Sequence, residues 1–93
     1  MEFKQLEMFV ALAEERRVQR AAERVFRTQP AVSMAIAKLE EEVRSRLFIR
    51  SEGFRLTTSG EILYSYARRL LDLRQEARLA LLDRKQPGAT ASR

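Results

Sequence analysis

Residues 28–40 read TQPAVSMAIAKLE and open as a helix. Thr28 can cap it, and Pro30 falls in the first turn, where its missing N–H costs nothing. Val32, Ile36 and Leu39, continued by Val43, recur at helical spacing and form one stripe that must be buried. The opposite side carries Pro30, Ser33, Met34, Ala37 and Lys38, a face of short side chains with one long cation. What that second face touches decides what the chain does.

Toward the N-terminus, Phe3, Leu6, Phe9, Val10 and Ala13 share a face and predict an amphipathic helix over residues 3–15. Val18, Ala21, Ala22 and Val25 repeat the pattern and predict a short helix over 18–25. Phe26-Arg27-Thr28 is then a tight connection into a third helix over 29–43. That spacing resembles a helix-turn-helix. Two helices joined by so short a turn must cross closely, and Ala21-Ala22 removes bulk where they meet. The same residues also fit a small three-helix bundle in which the alanines serve only as good helix formers.

Beyond Leu47-Phe48 the period changes. LFIRSEGFRLT, residues 47–57, alternates around Glu52-Gly53 with Phe48, Ile49, Phe54 and Leu56 on either side, which predicts a short hairpin. Such a hairpin is a wing, with Arg50 and Arg55 beside its turn as contacts to phosphate or the minor groove; a solvated hairpin with ordinary surface arginines fits equally.

Thr57 or Thr58 then caps a long helix, and Thr58 with Glu61 has the spacing of a capping box. Gly60 is expected to weaken the first turn slightly. Leu63, Tyr66, Leu70, Leu73, Ala77 and Ala80 alternate in steps of three and four, a heptad seam. A helix from 58 to 84 is about 40 Å long, more than so small a domain can cover, so the seam predicts pairing with a second copy. Pro87-Gly88 is expected to end it, leaving a small polar tail that reads as a hinge.

Composition sets the bounds. With 93 residues, 45% hydrophobic and 33% charged, the chain builds one small domain and an appendage. It has no cysteine and no histidine, which excludes disulfides, thiolate zinc sites and the usual cysteine or histidine catalysis, and fits a reducing cytoplasm. Charges every few residues leave no room for a signal peptide or a membrane span. The net charge of +5 favours an acidic partner such as nucleic acid. It is spread as 11 Lys/Arg against 9 acids through Thr57 and 7 against 4 thereafter, so a nucleic-acid surface must come from arrangement rather than from a basic tail.

Taken together, FVALAEE, RAAERV, TQPAVS, LEEEV, RLFIR, RLT and YARRLL resemble the N-terminal DNA-binding domain of LysR-type transcriptional regulators over about residues 1–85. The resemblance implies a mainly α fold, a winged helix-turn-helix (1–57) followed by a long linker helix for dimerisation (58–85), with 86–93 as hinge or tail. It implies double-stranded DNA as partner, a homodimer through antiparallel linker helices on an interrupted inverted repeat, and no cofactor, metal or membrane. A small-molecule effector is expected only in a longer form carrying an effector domain. The family pattern places Gln29, Pro30, Ser33 and Met34 near base edges and backbone, and Thr28 and Arg20 near phosphates. Lys38, Arg50 and Arg55 complete the expected DNA face.

The chain departs from the family in four places. Arg16-Arg17 replace a glycine and a serine-like cap, Arg44 replaces a glycine after the third helix, Met34 replaces a frequent arginine, and the wing is one residue shorter. Two other classes of function compete. One is a helical protein-interaction module with a coiled coil and no DNA role. The other, an enzyme, would have to use Glu40, Glu41 and Glu42, but consecutive residues on a helix diverge, so a solvated helix end is the expectation.

Overall fold

A computed structural model describes residues 1–83, so the expected stop at Pro87-Gly88 and the tail lie outside the described residues. The order is α1 (Phe3–Glu15), α2 (Val18–Val25), α3 (Gln29–Val43), β1 (Phe48–Ile49), a 3-10 turn (Arg50–Glu52), β2 (Arg55–Leu56) and α4 (Thr58–Asp83). The first three helices carry the boundaries that periodicity and capping predict. Thr28 Oγ1 accepts the Ala31 N–H at 3.2 Å, the capping bond expected of it. β1 and β2 pair antiparallel, Phe48 opposite Leu56 and Ile49 opposite Arg55.

Phe9, Leu12, Val32, Ile36, Leu39 and Leu47 are fully buried and form the centre of the core, with Ala21 and Ala22 buried beside them. The wing is tied in by aromatic rings: Phe9 to Phe48 at 5.4 Å between centroids, then Phe48 edge-on to Phe54 at 5.9 Å.

Helix ends explain two of the departures from the family pattern. Arg16 (φ 64°) and Arg44 (φ 56°) both adopt the left-handed conformation, and each backbone N–H closes its helix, on Leu12 O and Glu40 O. The backbone requirement that a glycine meets therefore persists, and each arginine bears a cost of about 1 kcal/mol. Arg17 starts α2 with no side-chain cap, the weakness its sequence predicts.

The start of α4 decides between the two caps that the sequence offers and overturns the capping box. Thr57, not Thr58, is the cap: its Oγ1 accepts the Gly60 N–H at 3.0 Å and donates to Arg46 O at 2.6 Å. Gly60 then occupies the third helical position, so no box forms between Thr58 and Glu61. Gly60 is also no mere weak point, because a Cβ there would lie 2.1 Å from Leu47 O. Glu40 is corrected as well. Its side chain is only 11% exposed, and it accepts the Leu47 N–H at 2.9 Å, stapling the chain after α3.

α4 has two faces. Gly60 and Ala67 are buried, and Leu63, Tyr64 and Leu71 pack against the core. Polar clamps reinforce that packing. Glu14 of α1 accepts from Tyr64 Oη, lies 2.6 Å from Arg24 Nη2 of α2 and 3.7 Å from Arg68 Nη1, while Arg74 reaches Glu7 and lies over the Phe3 ring at 4.9 Å. Burial pushes the Glu14 carboxyl up, but the hydrogen bonds from Tyr64 and Arg24 and the charges of Arg24 and Arg68 outweigh it and hold it below its ordinary value. A depressed carboxylate stabilises the fold above its unfolded pKa, and this contribution fades as pH falls through the folded one. Glu14→Gln is therefore expected to lower the urea midpoint at neutral pH and to flatten its fall on the acid side, checked by denaturation from about pH 7 to about pH 3.

Candidate nucleic-acid interface

α3 divides as its pattern predicts. Val32, Ala35, Ile36 and Leu39 are buried, whereas Gln29, Pro30, Ser33, Met34, Ala37 and Lys38 are exposed along one continuous face. Met34 is 60% exposed, so its thioether is presented outward rather than spent on packing. Next to it, Met34, Ala35 and Lys38 share a shallow groove of about 280 Å³ with Lys4 and Met8 of α1. Lys4 thus joins the face, a contribution that the sequence does not reveal because it depends on how α1 crosses α3.

Thr28 is exposed at the head of α3, and Arg20 is exposed on α2, where Arg17, Gln19, Arg20 and Arg24 line a polar recess with Glu15 and Glu23. Arg24 is held by Glu14 and Glu15, which leaves Arg17 and Arg20 as the outward cations of that recess. The turn between α2 and α3 is closed by Phe26 in the left-handed conformation, with Arg27 N–H bonded to Ala22 O at 2.9 Å.

The wing arginines differ from one another. Arg50 sits over the Phe54 ring at 5.6 Å. Arg55 donates Nε–H to Glu52 Oε1 at 2.7 Å and forms an ion pair with the same carboxylate, so its charge is locally compensated. A third arginine reaches the wing from the α1–α2 loop, a contact that the sequence does not reveal: Arg16 donates Nε–H to Gly53 O at 2.6 Å and Nη2–H to Glu52 O at 3.0 Å.

Of the expected pairing residues, Tyr66, Leu70, Leu73, Ala77 and Ala80 are exposed on α4. Leu63 is shared between the core and a groove of about 430 Å³ lined with Met1, Val43, Leu47, Ile62, Tyr66 and Leu70. Ile62, outside the heptad reading, belongs to the exposed row. Among the described residues there is no cluster of three metal-ligating side chains, and no helix is long and apolar enough to cross a membrane.

Known proteins share this arrangement. A "Probable RuBisCO transcriptional regulator" of Cyanidioschyzon merolae is 40% identical over 80 residues, which is 85% of this chain and 26% of that protein. The HTH-type transcriptional regulator BudR of Klebsiella aerogenes is 44% identical over 78 residues, 83% of this chain and 54% of its own length. The chain therefore spans less than two thirds of either relative. Among solved structures, a chain of the crystal structure of the BenM_DBD/benA site 1 DNA complex superposes with a TM-score of 0.82 at 34% identity, covering 95% of this chain and 99% of that one. Residues 3–61 match the family described as "Bacterial regulatory helix-turn-helix protein, lysR family", and the chain, with its winged fold and divided third helix, belongs to that family.

Proposed function

We propose that the chain binds duplex DNA sequence-specifically as the DNA-binding domain of a transcription regulator, with α3 in the major groove. The observation that carries this reading is the outward face of α3. A helix enters the major groove only where its side chains are short or aimed at base edges, and Gln29, Pro30, Ser33, Ala37 and Lys38 meet that condition while the apolar stripe is buried elsewhere. The likeness to a DNA-bound domain supports it. Thr28, Arg20, Arg17 and Arg50 serve as phosphate contacts, and Arg55 contributes less because Glu52 already holds it. Two copies pair through the Ile62 to Ala80 face of α4 and place two recognition helices on an interrupted inverted repeat. The reading gives the chain no catalytic role and a cytoplasmic place of action.

The test is binding of a labelled duplex over a range of salt concentrations. Neutralising Z phosphates makes log K fall against log salt with a slope of about −0.9Z, and a chain that served only as a protein-interaction module would show no such binding. Base choice is tested at Met34. A thioether offers a weak acceptor and apolar surface suited to a thymine methyl, whereas arginine grips guanine O6 and N7 for about 1–3 kcal/mol of discrimination. Met34→Arg is expected to shift preference toward G·C at one position per half-site, with Gln29 still directed at adenine. An unchanged profile on a panel varied at each position would show that Met34 reads no base.

A further inference from the structure

The wing is too small to hold its own shape. It has two residue pairs, and an isolated two-stranded hairpin is marginal even when longer. Its base is fastened to the core by Phe48, against which Phe54 packs edge-on, whereas Arg50–Glu52 and Gly53 (φ 67°) form the tip, the turn between those two anchors. Within the tip, Gly53 N–H bonds to Arg50 O at 3.2 Å. From outside it, the Arg16 guanidinium spans two successive carbonyls, Glu52 O and Gly53 O. Both acceptors are neutral main-chain oxygens, and the Glu52 carboxylate is occupied by Arg55. The guanidinium therefore fixes backbone rather than compensating a charge, and it keeps its own.

We propose that Arg16 is the positioning residue of the wing: it clamps the tip to the α1–α2 loop and so holds Arg50 in the geometry in which it meets DNA. The function of Arg50 rests on the DNA-binding reading above; the clamp itself does not. The clamp joins the wing to the residue directly before Arg17 and α2, so the wing and the cationic start of α2 move as one unit. It also accounts for a long charged residue in a left-handed conformation at the end of α1, where glycine would fit without cost.

That conformation provides a clean variant. Arg16→Gly removes the guanidinium while relieving the backbone, so the thermal midpoint is expected to stay level or rise. In the absence of DNA, backbone order parameters at Gly53 and Phe54 should fall from about 0.85 to below about 0.6, while α1 to α3 keep theirs. Arg16→Lys, which can reach one carbonyl but not fork across two, should recover part of that order. With DNA, Arg50→Ala should cost about tenfold in affinity on the native background and less than about twofold on the Arg16→Gly background. An unchanged wing tip in Arg16→Gly overturns the clamp. Additive losses show that Arg16 and Arg50 touch DNA independently and overturn the positioning role. If the native chain binds no duplex, the DNA-binding reading fails, and the order parameters still decide the clamp.

Discussion

Gly60→Ala is expected to destabilise the fold by about 2–3 kcal/mol, against the ordinary effect of that substitution in a helix, which is a gain of about 1 kcal/mol. The added Cβ would stand 2.1 Å from Leu47 O, 3.1 Å from Leu47 C and 2.9 Å from Leu56 Cδ2. The Leu56 side chain can rotate, but the Leu47 carbonyl cannot. It accepts the Thr57 N–H at 3.0 Å, and the Leu47 N–H is held by Glu40. Relief requires α4 to lift off, and with it go the cap bonds of Thr57 to Gly60 N–H and Arg46 O. For a domain of this size such a loss is a large part of the total stability. Urea denaturation of Gly60→Ala beside Ser59→Ala reads the difference. A midpoint at or above that of the native chain would show that the close approach is absent.

Leu70→Arg is expected to leave the fold intact and to abolish pairing. Leu70 is 40% exposed and contributes to one wall of the groove formed with Ile62, Tyr66, Val43 and Leu47, so the isolated domain accepts a solvated arginine there. Across a two-copy interface the same arginine is buried opposite apolar partners and left unpaired, at a cost of several kcal/mol. Sedimentation should show native dimers and variant monomers at tens of micromolar. Affinity for a full inverted repeat should drop by about 10²–10⁴, because the second half-site contact is no longer intramolecular, while affinity for a single half-site is unchanged. A native monomer, or a variant that remains dimeric, would contradict pairing through this face.

How much of this was legible in the sequence depended on whether a feature is local. The boundaries of α1 to α3 were, since periodicity, the Thr28 cap and the alanine pair act within a few residues. The position of the wing was legible too, although its turn is a 3-10 segment rather than a simple two-residue loop. For α4 a heptad count found the exposed row but missed the inner one, with which it shares only Leu63. Leu63, Tyr64, Ala67 and Leu71 face the core, an assignment that requires knowing where α1 lies. The least legible features join distant residues. Arg16 meets Gly53 37 positions away, Tyr64 meets Glu14 across 50, and Arg74 meets Glu7 across 67. No spacing rule connects such pairs. Gly60 was misjudged for the same reason, since propensity counts the helix it weakens and not the carbonyl it admits. The candidate DNA face was legible because it is what remains of α3 once the buried stripe is removed.

Selection of duplexes bound by the native chain from a pool of random sequence tests the central claim most directly. Two inverted half-sites separated by a spacer, with their centres about one helical turn or a whole multiple apart, are the predicted outcome. A pool that stays as random as the input, or that converges on a single unrepeated half-site, would contradict a dimer that places two α3 helices in the major groove.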